Sequence, residues 1–241
     1  MTDADYAARA RTATTWASPV ERALVPIYEC NEPLVSLNDS CPAVRVEIRV
    51  KARREFIGGD LLWARRQVAS MLSSLADLVA PLKIVVFDAH RPVSYQTARY
   101  NQVYAEKKKA YPDLTPEELA VATDAQVALP SESPTSPPPH STGGAIDMLL
   151  TDSEGYPLDF GSTPGIYNVT REDARHPTNA DGLAPTHVEN RRRLLDAAVA
   201  CGFANFPGEW WHYSFGDQEW ALYTGRSDHA IYGRVENDVR N

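Results

Sequence analysis

Apolar and charged residues alternate strictly over 44–50: Val44, Val46, Ile48 and Val50 fall on one side, Arg45, Glu47 and Arg49 on the other. A period of two predicts a half-buried strand. The period then lengthens. Leu61, Val68, Met71, Leu72, Leu75 and Val79 recur near helical spacing, Asp60 is placed to cap the helix they predict, and Pro81 stops it. Residues 82–87 predict a short buried strand that ends in the polar group Asp88-Ala89-His90-Arg91-Pro92. A second helix is expected from Ser94 into Lys107-Lys108-Lys109. A third starts at Thr115-Pro116-Glu117-Glu118, which combines an N-cap, a proline at the first helical position and a carboxylate at the third. The apolar run from Ala145 to Leu150 predicts another buried strand. Thr186-His187-Val188-Glu189 has the form of a capping box opening a helix through Ala200, with Gly202 as its terminator. Residues 210–215 complete the set as a last strand. Strands mixed with helices, without regular alternation, predict an α+β fold: a small antiparallel sheet with helices packed on one side.

Composition narrows the partners. A chain of 241 residues supports one sizeable core, so a single domain over 1–241 is expected, with an N-terminal arm of about 1–40 and a C-terminal tail of about 225–241. The net charge of -8 comes without a clustered basic face, which excludes nucleic acid and an anionic membrane as expected partners. No basic segment followed by an apolar one opens the sequence, and no apolar run has the length needed to cross a bilayer, so the expected location is the cytoplasm. Cys30, Cys41 and Cys201 are odd in number and lack C-x-x-C spacing; they are read as core or surface thiols. Residues 129–139 are rich in proline and serine and lead straight back towards the core, which suits a stiffened loop framing a site. Residues 151–185 carry little periodicity, and unpatterned stretches of that length are usually functional or mobile.

Chemistry concentrates in two places. Pro139-His140-Ser141-Thr142-Gly143-Gly144-Ala145-Ile146-Asp147 sets a histidine and a carboxylate on either side of a Thr-Gly-Gly turn. Gly208-Glu209-Trp210-Trp211-His212-Tyr213 supplies a second carboxylate and histidine. Two histidines, an aspartate and a spare glutamate are the components of a catalytic zinc site, in which three protein ligands leave a fourth position open. Period two places Trp210, His212 and Ser214 on one face of the last strand and Trp211, Tyr213 and Phe215 on the other, so His212 is expected on the exposed sheet face. Ala145, Asp147 and Leu149 likewise share a face. His90, His176, His187 and His229 are given structural roles, His90 being the least secure because it neighbours Arg91.

With these residues in place, the sequence resembles the zinc-dependent D-alanyl-D-alanine dipeptidases of the vancomycin-resistance type. That group is related to lysostaphin-like peptidases, D,D-carboxypeptidases and the hedgehog signalling domain. The resemblance rests on His140 with Asp147, on Glu209-Trp210-Trp211-His212, and on Asp88-x-x-Arg91-Pro92. It also takes in Glu55-Phe56-Ile57-Gly58-Gly59 and Asn190-Arg191-Arg192-Arg193. It implies His140, Asp147 and His212 as ligands of one zinc ion per chain, Glu209 as catalytic acid/base, and Arg91 as the group that stabilises the developing oxyanion. The implied substrate is D-alanyl-D-alanine or a closely related D-residue-containing dipeptide, a small peptide, in cell-wall turnover or glycopeptide resistance. A D,D-carboxypeptidase acting on longer stems and a non-catalytic zinc-stabilised binding module are the alternatives. The sequence departs from the family pattern in two respects: Pro138 and Pro139 stand where serines usually help hold the substrate carboxylate, and Gly165 stands where an aspartate binds its amino group. Glu172 and Asp173 are the carboxylates that follow.

Overall fold

The computed structural model describes residues 2–48, 61–124, 127, 129–131, 133–164, 175–225 and 228–236. In chain order the elements begin with helices α1 (Asp3–Thr12) and α2 (Pro19–Ala23), strand β1 (Leu34–Ser36), the single turn α3 (Leu37–Ser40), and strands β2 (Val44–Val46) and β3 (Trp63–Arg65). Helix α4 (Arg66–Val79), strand β4 (Lys83–Asp88), and helices α5 (Val93–Ala110) and α6 (Pro116–Asp124) follow. A 3-10 turn at Pro139–Thr142 leads into β5 (Ala145–Thr151); helix α7 (Pro185–Ala200), strands β6 (Ala204–Asn205) and β7 (His212–Ser214), and helix α8 (Gln218–Thr224) complete the order.

The architecture is the expected α+β arrangement. The main sheet has the order β2-β4-β5-β7-β6. Its pairs are antiparallel except β2 with β4, which run parallel, and a separate two-stranded sheet joins β1 to β3. Helices α4 and α7 pack on the main sheet and on each other. Val68, Met71, Leu72, Leu75 and Val79 of α4 are all buried, as the helical spacing requires. Strand β5 is buried along its whole length, since it lies between β4 and β7 and is covered on both faces.

Four expected boundaries shift. Strand β2 ends at Val46, with Glu47 and Ile48 beyond it, rather than running on through 50. Helix α4 starts at Arg66 rather than after Asp60, because residues 63–65 pair with β1 and tertiary pairing overrides the helical pattern at Leu61; Asp60 itself, like Arg49, Val50 and residues 55–59, lies outside the described residues. At α7 the N-cap is Ala184 rather than Thr186, with Pro185 at the first helical position. His187 Nδ1 accepts from the Ala184 N–H at 3.2 Å, while Glu189 pairs with Arg193 instead. The last strand is shorter than expected: Trp210 and Trp211 belong to the turn before it, where Trp210 N–H donates to His176 O, and both indoles are buried. The period-two argument that grouped Trp210 with His212 therefore does not apply. The caps at Thr115–Glu118 and at Gly202, whose φ is +99°, occur as expected. Among the described residues, no helix is long and apolar enough to cross a membrane.

Candidate metal centre

Register builds this site. Asp88 at the end of β4 is paired with Asp147 of β5, and Asp147 is paired in turn with His212 of β7. Directly opposed residues on adjacent strands share a face. A row of two carboxylates and an imidazole thus crosses three strands. The ladder between β4 and β5 is irregular between Val86 and Asp88, and that shift brings Asp88 opposite Asp147.

His140 enters from the 3-10 turn. Ser141 and Thr142 hydroxyls donate to Pro138 O and Pro139 O, each at 2.7 Å, and the turn closes on Gly143 at φ +73°. Arg65 holds it from below: its backbone N–H donates to Gly143 O at 2.9 Å and its Nε to Thr142 O at 2.8 Å. The Arg91 N–H donates to His140 O at 3.0 Å, tying the turn to the end of β4. Pro137, Pro138 and Pro139 are buried where the proline-rich segment enters the turn, in keeping with a loop that frames the site.

His140 Nε2, an Asp147 carboxylate oxygen and a His212 ring nitrogen converge within 4.8 Å of one another. Asp147 Oδ1 lies 3.3 Å from His140 Nε2 and 3.0 Å from His212 Nδ1, and the two imidazoles meet edge to face. His140 and His212 are each 5 % exposed and Asp147 4 %, so the sheet face that carries them is covered rather than open. Glu209 Oε2 stands 3.9 Å from His212 Nδ1. Arg91 Nη2 stands 3.6 Å from Asp147 Oδ2, and its guanidinium is oriented by Asp88 Oδ2, which accepts from Nε at 3.0 Å and lies 2.9 Å from Nη2. Gln96 Oε1 accepts from Nη1 at 3.3 Å.

The electrostatics follow from burial. Burial pulls the Arg91 guanidinium down, but Asp88 and Asp147 outweigh it and hold the charge firmly in place. Asp147 is raised by burial and brought well below the carboxylate range by His140 and His212. Burial and the neighbouring Arg91 cation push His140 down. For His212 burial acts downwards too, yet the hydrogen bond and charge of Asp147, with Glu219 and Glu209, raise it to about 9. Burial and Asp147 push Glu209 up to about 8.

The donor set fits a zinc ion. Ala89 O can only accept, so the 2.8 Å contact to His140 Nδ1 fixes the proton there and leaves a lone pair on Nε2. That lone pair faces a carboxylate oxygen at 3.3 Å in a buried space: two acceptors that a cation between them would satisfy. Ligands about 2.1 Å from a tetrahedral zinc are roughly 3.4 Å apart, close to the 3.0 and 3.3 Å separations seen here.

The four remaining histidines lie elsewhere. His90 Nε2 contacts Val235 O at 2.8 Å, His187 contacts Asp159 and caps α7, His229 contacts Asp228, and the His176 ring meets Trp211 edge to face. Sequence reasoning gave no role to Arg65, Gln96 or Glu219. Asp88 was visible through its place at the end of a buried strand and its spacing from Arg91. Gly165, Glu172 and Asp173 lie outside the described residues.

Two imidazoles and a carboxylate that could hold a metal ion thus lie together in a buried space, with Glu209 and Arg91 beside them. The Peptidase M15 family, described as D-Ala-D-Ala dipeptidase, matches residues 33–231, and the chain belongs to it. A D-alanyl-D-alanine dipeptidase of Synechocystis sp. (strain ATCC 27184 / PCC 6803 / Kazusa) is 33 % identical over 239 residues, covering 88 % of this chain and 95 % of the relative. One of Enterococcus faecalis (strain ATCC 700802 / V583) is 30 % identical over 141 residues, 56 % of this chain and 63 % of the relative. Among solved structures, a vancomycin-resistance D,D-pentapeptidase VanY variant in complex with Zn(II) has a TM-score of 0.42 at 17 % identity, covering 87 % of this chain and 96 % of that one.

Proposed function

We propose that this chain hydrolyses D-alanyl-D-alanine, or a closely related dipeptide with a D-residue, using one zinc ion per chain held by His140, Asp147 and His212. The observation that carries the reading is the convergence of three ligand atoms within 4.8 Å, with Glu209 3.9 Å from one ligand and Arg91 3.6 Å from another. Family membership supplies the substrate class.

When bound, zinc supplies Lewis acidity towards the scissile carbonyl and acidifies water. Glu209 takes the proton of the attacking water and delivers it to the leaving amine. Its proton affinity, raised to about 8 by burial and by Asp147, keeps both directions of transfer accessible near neutral pH. Arg91 presents a permanent cation beside the ligand cluster and stabilises the negative charge that grows on the carbonyl oxygen. Asp88 and Gln96 fix its fork, so little reorganisation is needed as charge develops. His140 is held in one tautomer by Ala89 O, and Asp147 balances the charge of the cluster.

The test is release of free D-alanine from D-alanyl-D-alanine by zinc-loaded protein, beside the same dipeptide with its amino group acetylated. Cleavage of the free dipeptide alone is expected. Cleavage of neither peptide, or of the acetylated one equally well, would overturn the dipeptidase reading and point to longer substrates.

A further inference from the structure

His212 has two ring nitrogens in different surroundings. Nδ1 faces Asp147 at 3.0 Å. Nε2 is buried and makes no hydrogen bond among the described residues; Glu219 Oε2 stands 3.8 Å from it. Glu219 lies in the first turn of α8, a helix capped by Asp217 Oδ1 accepting from the Trp220 N–H at 2.9 Å, and its side chain is 3 % exposed. A carboxylate buried this deeply needs a counter-charge. Arg22 provides it, with Nη1 2.5 Å from Glu219 Oε1. Arg22 belongs to α2, nearly 200 residues away in sequence, and that short helix is fixed by reciprocal bonds between Ser18 and Glu21. Two more contacts dock the same segment on α8: the Ala17 N–H donates to Tyr223 Oη at 3.2 Å, and Gln218 Nε2 donates to Val25 O at 2.6 Å.

We propose that Glu219 is a positioning residue for the metal ligand His212, and that Arg22, from the N-terminal segment, holds Glu219 in place for that task. The inference rests on the zinc reading above. A metal at Nδ1 requires that nitrogen unprotonated, so the ring's proton must sit on Nε2, and a buried N–H requires an acceptor. Glu219 Oε2 is placed to accept it. In the metal-loaded protein the 3.8 Å gap would close by about 1 Å, to the length of a charge-assisted N–H···O bond. A carboxylate behind a metal-bound imidazole fixes ring orientation and increases the basicity of the ligand. On this assignment the first residues of the chain reach the catalytic centre through one ion pair, rather than only packing on its exterior.

The test uses the full metal-free chain, with zinc affinity read by competition against a chromophoric chelator and folding checked by circular dichroism. Glu219→Ala should weaken zinc binding by roughly 10- to 100-fold, the usual effect of removing such a partner. Glu219→Gln keeps the volume and an accepting oxygen but not the charge, and should fall between Glu219→Ala and the unaltered protein. Arg22→Ala should cause a smaller loss that disappears when Glu219 is already alanine. Arg11→Ala, which removes a surface ion pair between α1 and Asp196, should leave the affinity within about twofold. Unchanged affinity in folded Glu219→Ala, an Arg22 effect of the same size in both backgrounds, or an equal loss in Arg11→Ala would each overturn the proposal. Failure of the unaltered protein to bind zinc would instead overturn the metal centre itself.

Discussion

Replacing Gly144 by alanine tests whether strand register sets the geometry of the metal centre. A Cβ at Gly144 would lie 2.3 Å from Phe215 O, with Thr142 Oγ1 and a Tyr232 ring carbon each at 3.1 Å. The close neighbour is backbone, so rotation of a side chain cannot relieve the contact. Phe215 follows directly on β7, and its N–H donates to Gly144 O at 3.1 Å, extending the β5–β7 ladder by one rung. A methyl group there drives the strands apart three rungs from the Asp147–His212 pair. Inserting a carbon into packed structure costs about 1–3 kcal/mol, and displacing one ligand of a tight site should weaken zinc binding by at least about tenfold. Gly182→Ala is the control. That glycine has φ +71° but nothing within 4 Å of its missing Cβ, so it should lose about 1–2 kcal/mol to backbone strain and nothing in zinc affinity. Urea denaturation and chelator competition on both variants provide the two readouts. A Gly144→Ala protein that unfolds more easily yet binds zinc as tightly as the unaltered chain would refute the reasoning.

Three further outcomes are expected. Glu209→Gln should retain zinc while turnover falls by about 10²–10⁴-fold, the usual contribution of a positioned acid/base; unchanged turnover at full zinc occupancy contradicts the role. Arg91→Lys keeps the charge but loses the fork held by Asp88 and Gln96, so kcat should fall by roughly 10²-fold with zinc affinity preserved, as steady-state kinetics will show. The metal-free protein should melt at a lower temperature at pH 9 than at pH 6. His212 at about 9 and Glu209 at about 8 both lie above their ordinary values, so their stabilising contribution is complete at low pH and is lost as pH rises through those values. Calorimetry at the two pH values in the presence of a chelator checks this, and an unchanged or rising melting temperature contradicts it.

The main elements and the three candidate metal ligands could be read from the sequence because local signals carried them. Helical spacing marked α4, proline with a carboxylate marked α6, and the Thr-Gly-Gly turn between His140 and Asp147 marked the site. What stayed hidden depends on pairings distant in sequence. Nothing near Trp63 shows that it starts a strand, because its partner is β1. Period two misplaced Trp210 because the chain turns there before the strand begins. Arg65 has no local signature at all: its side chain reaches Thr142, Glu32 and Gly233, positions that only folding brings together. Glu219 was equally invisible, since its neighbour Arg22 belongs to the other end of the chain.

The row formed by Asp88, Asp147 and His212 runs across adjacent strands of one sheet. The spacing of these groups is therefore fixed by main-chain hydrogen bonds, which any sequence with the same register would make. His140 is the ligand that the sheet does not carry: it comes from the turn held by Arg65 and Arg91. The metal centre is thus assembled by two devices, strand register for Asp147 and His212 and a tethered turn for His140, which can be perturbed separately.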